Sequence, residues 1–185
     1  MFNMSIHSEG MPHKTLDRLA PEDVEASDLT TADLPELKGL FERNRDHFAS
    51  GGFVNANHYE EFEKRLRGER HDDDMRLVGM RVNNTLVGFG TAVPDAEITG
   101  AYEIAGAVDQ EYTRRGIALA ALTAFVDYED NLGHDLTAEV RTDNYPVIML
   151  LDKLDFVRKR RREENVLYVR KAMGLEEFTA RFWKQ

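Results

Sequence analysis

The chain has 185 residues, of which 42% are hydrophobic and 31% charged, so it can form one folded domain with a charged surface. Its 24 Lys and Arg against 34 Asp and Glu give a net charge of −10, which argues against nonspecific nucleic-acid binding. The absence of cysteine excludes disulfides, thiolate nucleophiles and cysteine-based metal sites. Because no apolar run approaches a membrane span of about 20 residues and the N-terminus lacks an apolar signal core, we expect a cytoplasmic protein without nucleic-acid or membrane partners.

The first third of the chain is predicted to be helical after one short strand. Residues 1–22 show no hydrophobic period and are predicted to be a flexible segment ahead of a single domain over residues 23–185. A strand over residues 24–29 precedes a helix over residues 30–47, where leucines recur at helical spacing. A second helix is predicted over residues 58–67 for the same reason.

The middle of the chain has the texture of strands. Apolar, β-branched segments over residues 76–82, 85–93 and 98–108 predict three successive strands. Asn83 and Asn84 separate the first two, and asparagine tolerates the positive φ of a two-residue hairpin turn. The segment is therefore predicted to be an antiparallel meander.

The last third alternates helix and strand and ends in a hairpin. The predicted elements are a helix over 116–131, a strand over 136–141, a helix over 144–154, strands over 156–162 and 166–171, and a short helix over 175–183. Gly133 is expected to end the helix over 116–131, and Asp143 or Asn144 is expected to cap the helix over 144–154. The strand–helix–strand unit requires a right-handed parallel crossover. The predicted fold class is therefore α/β (α+β): a mixed, mostly antiparallel sheet with helices on both faces and one parallel pair.

Three motifs suggest functions that the residues do not support. Gly88 and Gly90 begin like a dinucleotide-binding fingerprint, but the third glycine and the following helix are missing, so they are interpreted as strand glycines. The segment His71–Asp74 is interpreted as a solvated turn, and no metal is expected. The basic run Arg158–Arg162 alternates between the faces of a predicted strand, which favours a solvated strand or a local anion contact over a nucleic-acid site.

The segment VDQEYTRRGIAL lies between a predicted strand and a strong predicted helix. A tight turn there directs the free N–H groups of residues 114–118 and the positive end of the helix dipole at one point, which suits a pyrophosphate. Gly116 allows a close backbone approach, Ala118 keeps the next position clear, and Arg114 and Arg115 add positive charge. By spacing alone, a plain strand-to-helix connection remains the alternative.

Together with its helix, this segment resembles a known family. VDQEYTRRGIALAAL is similar to the acetyl-CoA-binding motif of the GNAT family of N-acetyltransferases, and TDNYPVIMLLDKLDF resembles that family's second signature. LTTADLPELKGLF resembles its first strand–helix unit, so the resemblance covers roughly residues 23–172. Within the family, LFERNRDHF and AYEIAGAVDQEYTRRGIA look most like the branch that acetylates ribosomal-protein N-termini.

The resemblance implies direct transfer of an acetyl group from acetyl-CoA to a primary amine, perhaps a protein N-terminus, in a ternary complex without metal, by a monomer or homodimer. It places the pantetheine arm beside the predicted strand over residues 98–108, as an added strand would lie, and the pyrophosphate at the loop over residues 114–118. It also gives Asn144 a role beside the pantetheine, with a plain helix cap as the alternative. The implied cofactor-binding residues are Ala107, Val108, Arg114, Arg115, Gly116, Ile117, Ala118 and Asn144.

The attacking amine must be neutral, so a proton acceptor is needed. Glu103, on the strand that leads to the loop, matches a glutamate of the ribosomal-protein branch and is the candidate base. The alternative, which the sequence supports equally, is that Glu103 is a strand carboxylate that faces solvent without a catalytic role. Glu139 on the next strand is the second candidate for the base.

Four positions depart from the family pattern. Thr113 replaces an arginine or glutamine at the start of the loop, and Asp155 replaces a glycine, although aspartate also tolerates a left-handed helix end. Leu151 stands where many members carry the tyrosine that protonates the departing thiolate, and Val147 stands where the ribosomal-protein branch often has serine. These departures leave open a non-catalytic acyl-CoA sensor or interaction module. An acetyltransferase for small amines such as polyamines or antibiotics is a further alternative.

Overall fold

The computed structural model describes residues 23–50, 56–70, 74–112, 117–162 and 164–172. The predicted flexible segment over residues 1–22 and the predicted helix over residues 175–183 lie outside these ranges. The described strands are β1 Val24–Asp28, β2 Arg76–Val82, β3 Thr85–Pro94, β4 Ala101–Val108, β5 Asp135–Arg141, β6 Val157–Arg162 and β7 Asn165–Arg170. The described helices are α1 Leu34–Arg43, α2 Arg45–Ser50, α3 Ala56–Leu66, α4 Ile117–Asn131 and α5 Tyr145–Lys153.

The strands form one seven-stranded sheet in the order β1-β2-β3-β4-β5-β7-β6. Neighbouring strands run antiparallel except β4 and β5, which are parallel. This confirms the predicted fold class, including the single parallel crossover through α4. Asn83 and Asn84 both have positive φ, 49° and 64°, as the predicted hairpin turn requires.

Helices cover both faces of the sheet. Apolar residues of α4 and α5, such as Phe125 and Leu151, pack with one face in a buried cluster that includes Val78 and Ile104. α4 approaches closely because β3 carries Gly90, where an added Cβ would lie 2.6 Å from the Phe125 ring. The opposite face carries α1, α2 and α3, whose aromatic and leucine side chains surround Phe89.

The structure corrects two predicted boundaries. The predicted helix over residues 30–47 is interrupted at Asn44, whose Nδ2 donates to the Leu40 carbonyl (3.0 Å) while its Oδ1 accepts from the Gln110 backbone (2.8 Å). β4 begins at Ala101 rather than Ile98, because the Asp95 carboxylate accepts two backbone N–H groups and folds the preceding residues into a turn.

Two helix ends confirm predictions made from the sequence. Gly133 has a φ of 77° and follows the last turn of α4, and its N–H donates to the Asp130 carbonyl (2.8 Å). Asp155 has a φ of 61°, so the residue that replaces glycine adopts the left-handed conformation after α5.

Candidate active site

The parallel strands β4 and β5 are paired at one end only. Their ladder joins Ala101 to Asp135, Tyr102 to Leu136 and Glu103 to Thr137, and over the described residues no further pair of these strands follows. Beyond this point, residues 104–108 of β4 face residues 138–141 of β5 without backbone pairing. We call this opening the β4–β5 cleft and the Glu103–Thr137 pair its vertex.

Exposure of the side chains changes along β4 at the same place. Ala101 and Ile104 are buried, whereas Ala105 and Gly106 are exposed in the middle of the strand. Small exposed residues beside unpaired backbone groups leave room for an extended ligand that adds to the strand edge. The residues present therefore fit the pantetheine arm of acetyl-CoA, with Ala107 and Val108 at the far end of the open segment.

The strand register brings Glu103 and Glu139 to the same face of the sheet. Glu103 is paired with Thr137, and Glu139 lies two residues farther along β5, so both side chains alternate away from the cluster beneath α4. Glu103 is half-buried at the vertex, and Glu139 is exposed. The structure thus places the candidate base and its reserve on neighbouring strands, with Glu103 at the point where the cleft closes.

The vertex is held by a hydrogen bond that the sequence did not reveal. Thr137 is fully buried, and its Oγ1 donates to Asp95 Oδ2 at 2.6 Å. The other oxygen of Asp95 accepts from the backbone N–H groups of Glu97 and Ile98, each at 2.8 Å. The loop between β3 and β4 is therefore tied to β5 next to Glu103.

The start of β5 is anchored as well. Asp135 Oδ1 accepts from the Ala172 backbone at 2.8 Å, and its Oδ2 is ion-paired with Lys171. Burial alone would raise the pKa of this carboxyl, but the hydrogen bonds and charge of Lys171 and the Ala172 N–H lower the pKa below its ordinary value. The carboxylate therefore stays ionised where β5 meets the end of β7.

A buried ionic cluster supports the paired end from the α4 side. The Tyr102 ring stacks on the His134 ring with centroids 4.1 Å apart, and His134 Nδ1 lies 3.0 Å from Glu129 Oε2. Glu129 is fully buried and is also ion-paired with Arg76 of β2. The last turn of α4, β2 and the first residues of β4 are therefore joined by charged and aromatic contacts.

The carboxyl end of β4 leads into a turn that α1 holds in place. Arg43 Nε lies 2.5 Å from Asp109 Oδ2, and the Asp109 side chain is 1% exposed. Asn44 is itself buried and accepts the Gln110 N–H. Sequence reasoning missed this clamp, because nothing local connects Arg43 and Asn44 with residues that lie more than sixty positions away.

The predicted pyrophosphate loop follows this turn. Thr113, Arg114, Arg115 and Gly116 lie outside the described residues. The helix after them begins at Ile117, which is fully buried, and Ala118 is half-buried. The described residues on both sides therefore agree with a strand–turn–helix arrangement, and the binding of pyrophosphate there stays a prediction.

α5 begins at the same end of the sheet. Asn144 occupies its N-cap position, but neither Asn144 nor Asp143 supplies a capping side chain: Asn144 makes no side-chain cap bond, and Asp143 is paired with Arg141. The predicted cap is therefore right in position and wrong in mechanism. Leu151 is 2% exposed in the core, whereas the Tyr145 side chain is 69% exposed.

The described residue ranges contain no group of three or more His, Asp or Glu side chains positioned to hold a metal ion. None of the helices in these ranges is both long enough and apolar enough to cross a membrane.

Comparison with protein families gives one match. The family model described as the acetyltransferase (GNAT) family matches residues 38–156, which is more than half of the chain, and confirms the resemblance drawn from the two signatures. Comparison with the curated proteins gives no match.

Solved acetyltransferase structures share the fold. A ribosomal-protein-S5-alanine acetyltransferase from Vibrio fischeri aligns with a TM-score of 0.63 and 18% identity over 81% of this chain and 93% of its own. RimL, a ribosomal L7/L12 alpha-N-protein acetyltransferase in complex with coenzyme A, aligns with a TM-score of 0.66 and 17% identity. The alignment covers 80% of this chain and 94% of RimL. A PaiA N-acetyltransferase from Thermoplasma acidophilum in complex with coenzyme A aligns with a TM-score of 0.56 and 17% identity. The alignment covers 80% of this chain and 98% of that enzyme.

Proposed function

We propose that this chain, which belongs to the GNAT acetyltransferase family and is therefore an acetyl-CoA-dependent N-acetyltransferase, acetylates the N-terminal amine of a protein. The observation that carries the proposal is the position of Glu103 at the vertex of the β4–β5 cleft, where a base can meet both substrates. Two of the structures with the same fold are enzymes named for ribosomal proteins, which supports a protein acceptor.

An N-terminal amine suits a single carboxylate base. The unperturbed pKa of an N-terminal amine is ~8, against ~10.4 for a lysine side chain, so less free energy is needed to obtain the neutral amine near pH 7. In the proposed reaction the neutral nitrogen attacks the thioester carbonyl, a C–N bond forms, the C–S bond breaks, and the amine proton passes to Glu103. Glu139 takes this role if Glu103 does not.

The backbone of β4 orients the cosubstrate in this proposal. The pantetheine arm lies beside β4 as an added strand would, and it contacts the backbone of Ala107 and Val108. The pyrophosphate binds at Arg114–Gly116, Ile117 and Ala118. The free N–H groups at the start of α4 favour an anion there. Asn144, at the start of α5, lies at the same end of the sheet and contacts the arm from the β5 side.

The leaving group requires no protein acid. Leu151, at the position where relatives carry tyrosine, is buried in the core and has no proton to give. A thiol has a pKa of ~8.5, so a thiolate is a tolerable leaving group close to neutral pH. We propose that the CoA thiolate departs unassisted and is protonated by solvent.

The test is a panel of acceptors with acetyl-CoA, in which released CoA is measured and the acetylated atom is located by mass spectrometry. The proposal expects acetylation of the α-amine of peptides, and no acetylation of the same peptides when that amine is blocked but their lysines are free. Turnover only with polyamines or aminoglycosides would make the chain a small-molecule acetyltransferase. Saturable CoA binding without turnover on any amine would make it a sensor.

A further inference from the structure

The first two residue pairs that join β4 to β5 are held by contacts that lie away from the β4–β5 cleft. Asp135, in the first pair, is ion-paired with Lys171 and accepts the Ala172 N–H just beyond the end of β7. Tyr102, in the second pair, stacks on His134, which follows the last turn of α4. These contacts stabilise the closed end of the ladder.

The third pair carries the candidate base and is held by a different contact. Glu103 is paired with Thr137, and Thr137 Oγ1 donates to Asp95 Oδ2 at 2.6 Å. A hydroxyl–carboxylate hydrogen bond of this length is charge-assisted, and such bonds are about twice as strong as neutral ones. Thr137 is fully buried, so bulk water does not compete for its hydroxyl. The pair that contains Glu103 is therefore held by a strong bond.

Packing alone does not require a hydroxyl at residue 137. The partner of Thr137 on β7 is Val169, which is buried on the same face of the sheet, so an apolar side chain suits this row. Valine has nearly the same shape as threonine and is equally common in strands. A buried hydroxyl costs free energy unless it is hydrogen-bonded. The bond to Asp95 therefore explains why threonine occupies this position.

The acceptor of the bond is itself fixed. Asp95 Oδ1 accepts the backbone N–H groups of Glu97 and Ile98, and the Asp95 N–H donates to the Ala101 carbonyl, each at 2.8 Å. Ala101 begins β4 and lies two residues before Glu103. Asp95 thus bonds to β4 through its backbone and to β5 through its side chain. It sets the spacing of the two strands beside the candidate base.

We infer that Thr137 and Asp95 are positioning residues for acetyl transfer and that they act through Glu103. This rests on the proposed function, in which Glu103 accepts the proton of the attacking amine. Over the described residues, the ladder of β4 and β5 ends at the Glu103–Thr137 pair. Without the bond to Asp95, the strands can separate one pair earlier and carry the Glu103 carboxylate away from the amine. A misplacement of about 1 Å can lower a rate by about 10²-fold.

A double-mutant cycle tests the inference with a lysine-free peptide whose α-amine is free. Thr137→Val removes the hydroxyl and keeps the shape. It should lower kcat by about ten- to a hundredfold, while the KM for the peptide and the Kd of CoA change by less than about twofold, because the buried side chain contacts neither substrate. In a Glu103→Gln background the same substitution should lower kcat by less than about twofold, since the base that the bond positions is gone.

Further variants separate positioning from stability. Thr137→Ser keeps the hydroxyl and should retain kcat within about threefold of wild type. Asp135→Asn removes the ion pair of the first residue pair and should leave kcat unchanged. Urea unfolding shows whether each variant is folded in the assay.

A second substitution reports on the same bond if Thr137→Val does not fold. Asp95→Asn replaces the charge-assisted bond with a weaker neutral one, while the amide oxygen can still accept the two backbone N–H groups of the turn. It should lower kcat by about fivefold in the wild-type background and by less than about twofold together with Glu103→Gln.

Three results would overturn the inference. An equal loss of kcat from Thr137→Val with and without Glu103→Gln would make the bond a contributor to stability alone and leave the proposed function in place. Wild-type kcat in a folded Thr137→Val variant would do the same. Wild-type kcat in Glu103→Gln would remove both the inference and the base of the proposed function.

Discussion

The two halves of strand β4 differ on the side that faces β5. The first half, Ala101–Glu103, is hydrogen-bonded to strands on both sides, and its Tyr102 stacks on His134 beside the buried Glu129. The second half, Ala105–Val108, keeps its β3 neighbour but has no described ladder partner on the β5 side. One strand is thus fixed at one end and open at the other.

The contacts that contribute most to the free energy of folding are therefore concentrated at the paired half of β4. Open backbone groups are tolerated in the second half because water or a ligand can satisfy them. Their positions stay defined because the first half is held by buried charge, ring stacking and the Thr137–Asp95 bond. Substitutions in the first half should therefore change stability, those in the second half should change substrate use, and those at the vertex should change chemistry.

The largest effect on rate is expected at the vertex. Glu103→Gln should lower kcat/KM by roughly 10²–10⁴-fold, the usual range for loss of a general base. The loss should shrink as pH rises and the amine deprotonates unaided, which steady-state assays across pH will measure. Glu139→Gln is the matched control. If this variant shows the larger loss of kcat/KM, and that loss shrinks as pH rises, the base is Glu139 on β5.

The largest effect on stability is expected where the paired half is supported. Glu129→Gln leaves Arg76 next to a neutral amide, and breaking a buried ion pair costs about 3–5 kcal/mol of unfolding free energy. Urea unfolding should show this, while Glu42→Gln, which breaks an exposed pair with Lys38 on α1, should change stability by less than about 1 kcal/mol. Similar midpoints for the two variants would show that the cluster does not hold the paired half.

An intermediate effect is expected from filling the open half. Ala105 is exposed, so Ala105→Phe places a ring in the β4–β5 cleft without crowding the core. We expect kcat/KM to fall by about tenfold or more, equal to about 1.4 kcal/mol, with no change in the urea midpoint. Leu132→Phe enlarges another exposed side chain at the end of α4 and should leave kcat/KM unchanged. Full activity of Ala105→Phe would place the substrates elsewhere.

The smallest effect is expected at Tyr145, the tyrosine closest in sequence to Asn144. Its side chain is 69% exposed, and it lies six positions before Leu151, more than one helical turn away. Tyr145→Phe removes only the hydroxyl and should keep most of kcat. A hundredfold loss with unchanged CoA affinity would make Tyr145 the proton donor.

Most of the fold was predictable because its signals are local. The Asn83–Asn84 turn, the glycine after α4 and the alternation of apolar residues each depend on a few neighbouring positions, and the structure agrees with them. The break at Asn44 was not predictable, because the buried amide bonds to Gln110 from a distant part of the chain. Helical periodicity continues through that position and conceals the interruption.

The candidate site was predictable in part for the same reason. The strand–loop–helix pattern and the position of Glu103 could be read from neighbouring residues, and the strand order places Glu103 beside Glu139. Three long-range contacts could not be read in this way: the Arg43–Asp109 clamp, the Asp95–Thr137 bond and the ion pair of Arg76 with Glu129. The residues that each of them joins lie 42 to 66 positions apart in the sequence. Such contacts depend on packing that the local sequence does not encode.

Acetyl-CoA is proposed to lie along the open half of β4, and amide hydrogen exchange with and without CoA would show whether it does. We predict that CoA slows exchange in the peptide that covers Ile104–Val108 and in the first turn of α4. Residues Ala101–Glu103, already paired on both sides, should exchange slowly in both conditions. Protection of other strands by CoA, with exchange over Ile104–Val108 unchanged, would show that the cosubstrate binds elsewhere.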